Sequence, residues 1–287
     1  MKKILLCTDG SAFAENMYRY GAWFANRLQA EIDVLCVTDI RDQQAVQTGN
    51  LSGAIGIDSA ENLLARLVEL EHEKAKIDRQ RAKLVLQAAA QTLKADGVER
   101  VNLLHETGFL VDFLEQFETS CDLVVLGKRG QAADFASGHL GANLERIVRG
   151  SHKPCLVTSR QFKPLERILI AYDGSPSCQK ILQFIADSSI FAGLELHIVT
   201  VAQSTSEQSA IALLESAQQL AQQAGFEPVA SVIEGHAEAA ISSYVDEHNI
   251  SLLLMGAYGH SRIRHLVIGS TTAQMLRSSQ IPVLLFR

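Results

Sequence analysis

Four residues near the end of the chain have the types and the spacing of an anion-binding loop. Gly256, Gly259, Gly269 and Ser270 form a Gly-x2-Gly-x9-Gly-Ser pattern directly behind the apolar run Leu252–Met255. Glycines at the end of a strand let backbone N–H groups approach an anion closely. The N-terminus of a following helix adds unpaired donors and the positive end of its dipole. The pattern therefore predicts a phosphate-binding site over residues 256–272.

Other side chains should meet this loop at the same edge of a sheet. Asp173 follows one apolar run of the chain, and Val201 ends another. In an open α/β sheet, ligands bind outside the carboxyl ends of the strands, near the topological switch point. There Asp173 can accept a hydrogen bond from an adenine or ribose donor, and Val201 can contact a base. Taken alone, Asp173-Gly174-Ser175 is also typical of a turn followed by an N-cap serine, so the combination indicates the site.

The elements that position these residues occur twice. Residues Ile4–Ser11 recur as Ile168–Ser175, 164 positions later, and Gly127–Gly130 recurs as Gly256–Gly259, 129 positions later. Because the order is the same in both halves, the chain is a tandem repeat. The two offsets differ by about 35 residues, so the first copy carries an extra segment between its early and late motifs. We predict domains at 1–160 and 161–287, joined by the short connection 160–166.

Each copy alternates short β-rich runs with helical patterns. This alternation predicts the α/β class, with parallel strands and helices on both faces of the sheet. The nearly continuous apolar runs Leu123–Leu126 and Leu252–Met255 are typical of buried central strands. In the second copy the predicted strands are 167–172, 195–202, 228–233, 251–256 and 282–286, and the predicted helices are 176–192, 207–225, 237–248 and 270–279.

The extra segment of the first copy covers about residues 41–96. Residues 41–58 are polar and glycine-containing, which is typical of a loop, and the residues after Asp58 follow an amphipathic helical pattern. Apolar residues at alternating spacings of four and three are interrupted by Lys74 and Arg81. Two interpretations remain open: a helix that covers the first domain, or a coiled-coil-like projection that binds a partner.

Composition narrows the classes of function. The formal net charge of −6 argues against general nucleic-acid binding, and the apolar runs are shorter than a membrane span. No secretory signal pattern follows Met1. Five cysteines without a Cys-x-x-Cys motif favour a reduced, cytoplasmic setting.

Together these motifs resemble the universal stress protein family, and the whole chain is similar to its tandem-domain members. The resemblance implies two tandem five-stranded parallel open sheets with helices on both faces, a Rossmann-like fold of the HUP type. It implies ATP, with Mg²⁺ or Mn²⁺ carried by the phosphates, as the ligand. It places Asp173 and Val201 at the adenosine, and Gly256, Gly259, Gly269, Ser270 and Thr271 at the ribose and phosphates. It also implies an internal pseudo-dimer of the two domains and allows a homodimer.

The first copy departs from the pattern. Its corresponding site residues are Asp9, Val37, Gly127, Gly130 and Gly141. Ten residues separate Gly130 from Gly141, and Ala142 replaces the serine. The loss of a hydroxyl donor weakens phosphate binding, although Lys128 and Arg129 could offset it electrostatically. We therefore expect nucleotide binding chiefly in the second domain.

The sequence favours a binding protein over an enzyme. It contains no Gly-x4-Gly-Lys-(Ser/Thr) loop, no Gly-x-Ser-x-Gly elbow and no metal-ligand spacing of histidines. We expect no catalytic residues and no dedicated metal ligands. The first hypothesis is a nucleotide-binding stress-response regulator whose protein partner is unknown. The alternatives are a slow ATPase, and a nucleotide-free interaction protein or binder of another small ligand.

Overall fold

The computed structural model describes residues 2–11, 13–39, 57–128, 142–257 and 269–287. Most of the loop predicted at 41–58 and the predicted site residues Gly130, Gly141 and Gly259 lie outside these ranges.

The first half of the chain forms alternating strands and helices. Helix α1 buries Met17, Tyr20 and Phe24, whose spacing of three and four places them on one face. The elements in chain order are β1 (Lys3–Thr8), α1 (Ala14–Leu28), β2 (Glu31–Asp39), α2 (Ile57–Ala95), β3 (Val101–Gly108), α3 (Leu110–Glu118), β4 (Leu123–Gly127), α4 (Ala142–Gly150) and β5 (Cys155–Thr158).

The second half repeats this alternation, and its strands lie where the sequence predicts them. Its elements are β6 (Arg167–Ala171), α5 (Pro176–Asp187), β7 (Glu195–Ala202), α6 (Gln208–Gln223), β8 (Val229–Glu234), α7 (Ala237–Glu247), β9 (Leu252–Gly256), α8 (Ser270–Ser278) and β10 (Val283–Phe286). The helix predicted at 176–192 ends early, because Ser188 is extended and its hydroxyl caps a separate 3₁₀ turn at Ser189–Phe191.

The ten described strands form one sheet in the order β3-β2-β1-β4-β5-β10-β9-β6-β7-β8. Within each half the five strands are parallel, which confirms the predicted α/β class. The apolar strands β4 and β9 each lie between two neighbours, as predicted. The strand order reverses between β1 and β4 and between β6 and β9, so each half has its topological switch point there.

Helices cover both faces of this sheet. Alternate residues of one strand point to opposite faces, and Ile4 and Leu6 of β1 accordingly join one buried cluster while Leu5 joins another. The first cluster includes residues of α1, α2, α5 and α6, and the second includes residues of α3, α4, α7 and α8. Each cluster contains residues from both halves, so the core is continuous along the molecule.

The two halves meet edge to edge through β5 and β10. These strands pair antiparallel, with Leu156 opposite Leu284, so neither presents an open edge to solvent. Two cations cross the junction in opposite directions. Lys128 Nζ donates to the carbonyl of Ser279 at 2.8 Å, and Arg287 Nη1 donates to the carbonyl of Gly150 at 3.2 Å. Both carbonyls lie at helix C-termini, where a positive charge is favourable.

The connection between the halves is held against α1. Asn16 Nδ2 donates to the carbonyl of Arg160 at 2.7 Å, and its Oδ1 accepts from the Phe162 N–H at 3.1 Å. The Tyr20 hydroxyl accepts from the Lys163 N–H at 3.1 Å, and the Tyr20 ring lies 4.8 Å from the Phe162 ring. The connection is therefore part of the packed structure, as its brevity predicts.

Helix α2 has two parts with different surroundings. Its C-terminal part is buried on the sheet at Ala82, Leu86, Ala89 and Leu93. Residues 65–81 are exposed or half-buried throughout. The C-terminal part of the extra segment thus covers the first half, as one of the two interpretations expects, whereas residues 65–81 lie outside the core.

Candidate functional site

The predicted site residues of the second half converge at the carboxyl edge of the sheet. Strand β6 lies between β9 and β7, and all three are parallel. Asp173 follows β6, Val201 lies near the end of β7, and Gly256 ends β9. The structure therefore brings these three residues to one crevice beside the topological switch point, where ligands bind in open α/β folds.

Asp173 organises the turn that leaves β6. Its Oδ1 accepts a hydrogen bond from the Ser175 N–H at 2.9 Å, and the Ser175 hydroxyl caps helix α5 by accepting from the Cys178 N–H at 3.3 Å. The local turn and N-cap that the sequence allows for Asp173-Gly174-Ser175 are thus present. The first half has the same turn, with Asp9 Oδ1 accepting from the Ser11 N–H at 3.0 Å.

Gly174 has a conformation and a neighbour that favour glycine. Its φ is +73°, and a Cβ atom at this position would lie 2.6 Å from Leu213 Cδ1 of helix α6. Gly10 in the first half has a φ of +69°, and its Cβ would lie 2.4 Å from Val85 Cγ2 of helix α2. Val85 of α2 in the first half and Leu213 of α6 in the second half therefore occupy equivalent positions. The corresponding parts of the two helices cover the two crevices in the same way.

The N-terminus of α8 is held against the end of β9. The N-cap residue is Gly269, which has no side chain to cap the helix, and its N–H donates to the Ala257 carbonyl at 3.2 Å. Ser270 is exposed and Thr271 is half-buried. The hydroxyl of the buried Thr272 donates to the Gly256 carbonyl at 2.9 Å. Thr272 therefore holds the helix in place, while Ser270 and Thr271 carry the accessible hydroxyls.

In the described residues, the first crevice has the same arrangement of strand ends as the second crevice, but its side chains differ. Asp9, Val37 and Gly127 lie at the ends of β1, β2 and β4, as predicted. Helix α4 begins at Ala142, which supplies no hydroxyl. Lys128, which the sequence offered as an electrostatic substitute, donates to the Ser279 carbonyl at the end of α8. The structure thus gives Lys128 a role in joining the halves.

A polar pair joins β2 and β3 on the face of the sheet opposite to Val37. Thr38 Oγ1 lies 3.0 Å from His105 Nε2. The corresponding residues of the second half, by the strand registers, are Ala202 and Val232. The alignment of β2 with β7 and of β3 with β8 would have revealed this difference. The two halves therefore differ in polarity at this position of the sheet.

The part of the chain that the structure describes holds neither a metal-binding cluster nor a membrane-spanning helix. No group of three or more histidine, cysteine, aspartate or glutamate side chains there is arranged to hold a metal ion. No helix in the described ranges is long and apolar enough to cross a bilayer.

The five cysteines are free thiols, and all are buried. Burial raises the pKa of Cys36 and Cys121 to about 11 and that of Cys155 and Cys178 to about 12, from an ordinary value of 9.0. Burial raises the pKa of Cys7 still further. Because the thiolate is the reactive form, these thiols are inert in the folded chain at neutral pH.

We expect the native protein to react with less than about one equivalent of a thiol reagent such as DTNB at pH 8, and the denatured protein to react with five. Because the thiol pKa values are raised in the folded chain, the thiols lose their protons more easily in the unfolded chain. The contribution of the buried, protonated thiols to stability is therefore complete below pH 9 and falls as the pH rises toward 11–12. Rapid reaction of several thiols in the native protein would contradict this assignment.

The fold defines the chain as a tandem α/β protein whose two halves share one sheet. The model of the universal stress protein family matches residues 1–159 and again 164–287. Universal stress protein Slr1230 from Synechocystis sp. is 57% identical over 287 residues, which is 100% of both chains. The chain belongs to the universal stress protein family, with two tandem family domains.

Solved structures agree with this fold. The crystal structure of a universal stress protein from Archaeoglobus fulgidus matches 99% of this chain and 96% of its own, with a TM-score of 0.70 and 22% identity. Another universal stress protein from that organism has been solved in complex with dAMP. It covers 43% of this chain and 98% of its own, with a TM-score of 0.35 and 15% identity, so positions are not transferred from it.

Proposed function

We propose that this chain is a nucleotide-binding regulatory protein of the stress response that binds ATP chiefly through its second domain. The observation that carries the proposal is the N-terminus of α8. It begins at Gly269, is tethered to the end of β9 at the switch point, and presents the hydroxyls of Ser270 and Thr271. Backbone N–H groups and the helix dipole make such an end suitable for phosphate.

The neighbouring strands supply groups suited to the rest of the ligand. Asp173 carries an acceptor for adenine or ribose donors, and the half-buried Val201 offers apolar surface to a base. Gly256 and Gly269, together with Gly259, complete the proposed ribose and phosphate site. Mg²⁺ or Mn²⁺ would arrive with the phosphates, because such ions commonly bind through the phosphates of a nucleotide and need few protein ligands.

The first domain is proposed to bind nucleotide weakly or to bind another small ligand. Ala142 supplies no hydroxyl, and Lys128 is engaged at Ser279. This observation supports the alternative of an interaction or small-ligand function for that half. We place the domains at 1–160 and 161–287, and interpret the antiparallel β5–β10 junction as an internal pseudo-dimer. We also propose a cytoplasmic location.

Analysis of the bound nucleotide tests the proposal. The full chain is purified without denaturants, its small molecules are extracted, and they are identified by mass spectrometry. We expect ATP or AMP at about one per chain, and a rise in melting temperature on adding ATP to the stripped protein, with GTP as the comparison. Absence of any nucleotide together with no thermal shift at millimolar ATP would overturn the proposal.

A second measurement separates binding from slow hydrolysis. Purified protein is incubated with ATP and Mg²⁺ or Mn²⁺, and ADP is measured over hours. A regulatory binding protein leaves ATP essentially intact. Steady ADP release that is lost in a Ser270→Asp variant would favour the ATPase alternative, because the activity would then depend on the proposed site.

A further inference from the structure

The N-terminal part of helix α2 projects past the edge of the sheet that carries the crevices. Helix α2 joins the carboxyl end of β2 to the amino end of β3, so it runs antiparallel to both strands. Val85 lies against Gly10, just beyond the carboxyl end of β1. At about 1.5 Å per residue, residues 65–81, which we name the arm, extend up to about 30 Å beyond this level.

The arm and the turn that follows it carry an apolar seam. Leu70, Ile77 and Leu84 are spaced by seven residues, and their side chains are 55%, 67% and 60% exposed. Leu67, Lys74 and Arg81 precede them by three residues each, which completes the alternating spacing of a coiled coil. At 100° per residue, the three exposed residues point more than 90° away from Ala82 and Leu86, which bury the helix on the sheet.

A charged stripe overlaps one side of this seam, because it shares Lys74 and Arg81 with it. Glu71, Lys74, Asp78 and Arg81 follow one another at spacings of three and four, so they lie along one side of the helix with alternating signs. From Glu71 to Arg81 the charges alternate from negative to positive, and in the reverse direction they alternate from positive to negative. The stripe is therefore complementary to an antiparallel copy of itself, and it opposes like charges in a parallel copy.

We propose that two copies of this chain dimerise through their arms as a short antiparallel coiled coil. With the twofold axis between Ala75 and Lys76, Leu67 packs against Leu84 of the second copy and Lys74 packs beside Ile77. The cations of one copy then lie beside the acids of the other, with Lys74 near Asp78 and Arg81 near Glu71. In a parallel pair, Lys74 would face its own copy in the core, which like charges disfavour.

This arrangement has a consequence for the crevices. Each arm extends from the carboxyl edge of its own first half, so antiparallel pairing makes the carboxyl edges of the two copies face one another. The interface is independent of the β5–β10 junction and does not depend on nucleotide binding. Six side-chain layers, of which two pair Leu67 with Leu84, form an interface at the small end of the specific range, so association should be concentration-dependent.

Sedimentation velocity of the full chain over a concentration series tests the proposal. We expect a monomer–dimer equilibrium that shifts at least about tenfold toward monomer in an Ile77→Glu variant. Leu220→Glu is the matched control, because Leu220 is also an exposed helical leucine, at 45%, but lies on α6. Circular dichroism and melting temperature establish that each variant remains folded. A wild-type chain that is monomeric throughout, or a dimer that Ile77→Glu leaves unchanged, would overturn the proposal.

Charge reversal tests the orientation. Arg81→Glu alone and Glu71→Arg alone should each weaken the dimer, since each places like charges together across the antiparallel pair. The double variant Glu71→Arg with Arg81→Glu should restore it, because the exchanged charges again meet opposite signs. In a parallel pair, residue 81 of one copy faces residue 81 of the other, so the double variant still places two like charges together. Failure of the double variant to restore the dimer would therefore contradict the antiparallel arrangement.

Discussion

A Ser270→Asp variant should bind ATP at least about tenfold more weakly than the wild-type chain and should fold as well. Ser270 is the exposed first residue of α8. A carboxylate there stabilises the helix through its dipole, so the folded state is not harmed. It also stands where the proposed phosphates bind. Like charges about 4 Å apart repel by about 1 kcal/mol in water and about 4 kcal/mol near a protein surface.

The matched control is Ala142→Asp, the corresponding first residue of α4 in the first half. We expect it to leave the principal ATP affinity unchanged. Titration calorimetry gives both affinities, and the deficit of Ser270→Asp should shrink as salt is raised because exposed charges are screened. A loss of affinity in Ala142→Asp with none in Ser270→Asp would place the principal site in the first domain instead.

A Phe191→Ala variant should lose about 3–5 kcal/mol of unfolding free energy. The unfolding of both halves should shift to lower denaturant concentration. Phe191 is fully buried in the 3₁₀ turn after α5. Its ring lies 6.3 Å from that of Phe24 and 6.5 Å from that of Trp23, both on α1 of the first half, and 6.0 Å from that of Phe184 in its own half. Removing it therefore opens a cavity in a cluster that both halves share.

Urea denaturation followed by two probes checks this coupling. Trp23 is the sole tryptophan of the chain and reports on the first half, whereas circular dichroism reports on both halves. We expect the fluorescence midpoint to fall in Phe191→Ala although the substitution lies in the second half. Phe226→Ala, at a half-buried phenylalanine beyond α6, should cost less. An unchanged Trp23 midpoint beside a split dichroism curve would mean that the halves unfold independently.

Much of the fold could be predicted because its signals are local and repeated. The apolar runs that became β4 and β9 are nearly continuous, and the repeat of Ile4–Ser11 as Ile168–Ser175 gives the order of elements in both halves. The convergence of Asp173, Val201 and Gly256 on one crevice follows from parallel strands alone, since their carboxyl ends share an edge.

Other features depend on contacts that no local pattern carries. The antiparallel pairing of β5 with β10 requires knowledge of which sheet edges meet. The predicted phosphate site extends to residue 272, but the position of Thr272 on the buried side of α8 directs its hydroxyl to the Gly256 carbonyl. Lys128 follows a glycine that resembles a site residue, yet packing of the halves brings it to Ser279. Burial and tertiary contact decide these roles.

The stoichiometry of ATP binding tests the central claim most directly. Equilibrium dialysis of the nucleotide-stripped full chain against labelled ATP, in the presence of Mg²⁺, counts the sites that are filled. We predict saturation at one ATP per chain in the micromolar range, with this site lost in Ser270→Asp and kept in Ala142→Asp. Two equivalent ATP molecules per chain, or none at millimolar concentration, would contradict an account in which the second domain alone holds the competent site.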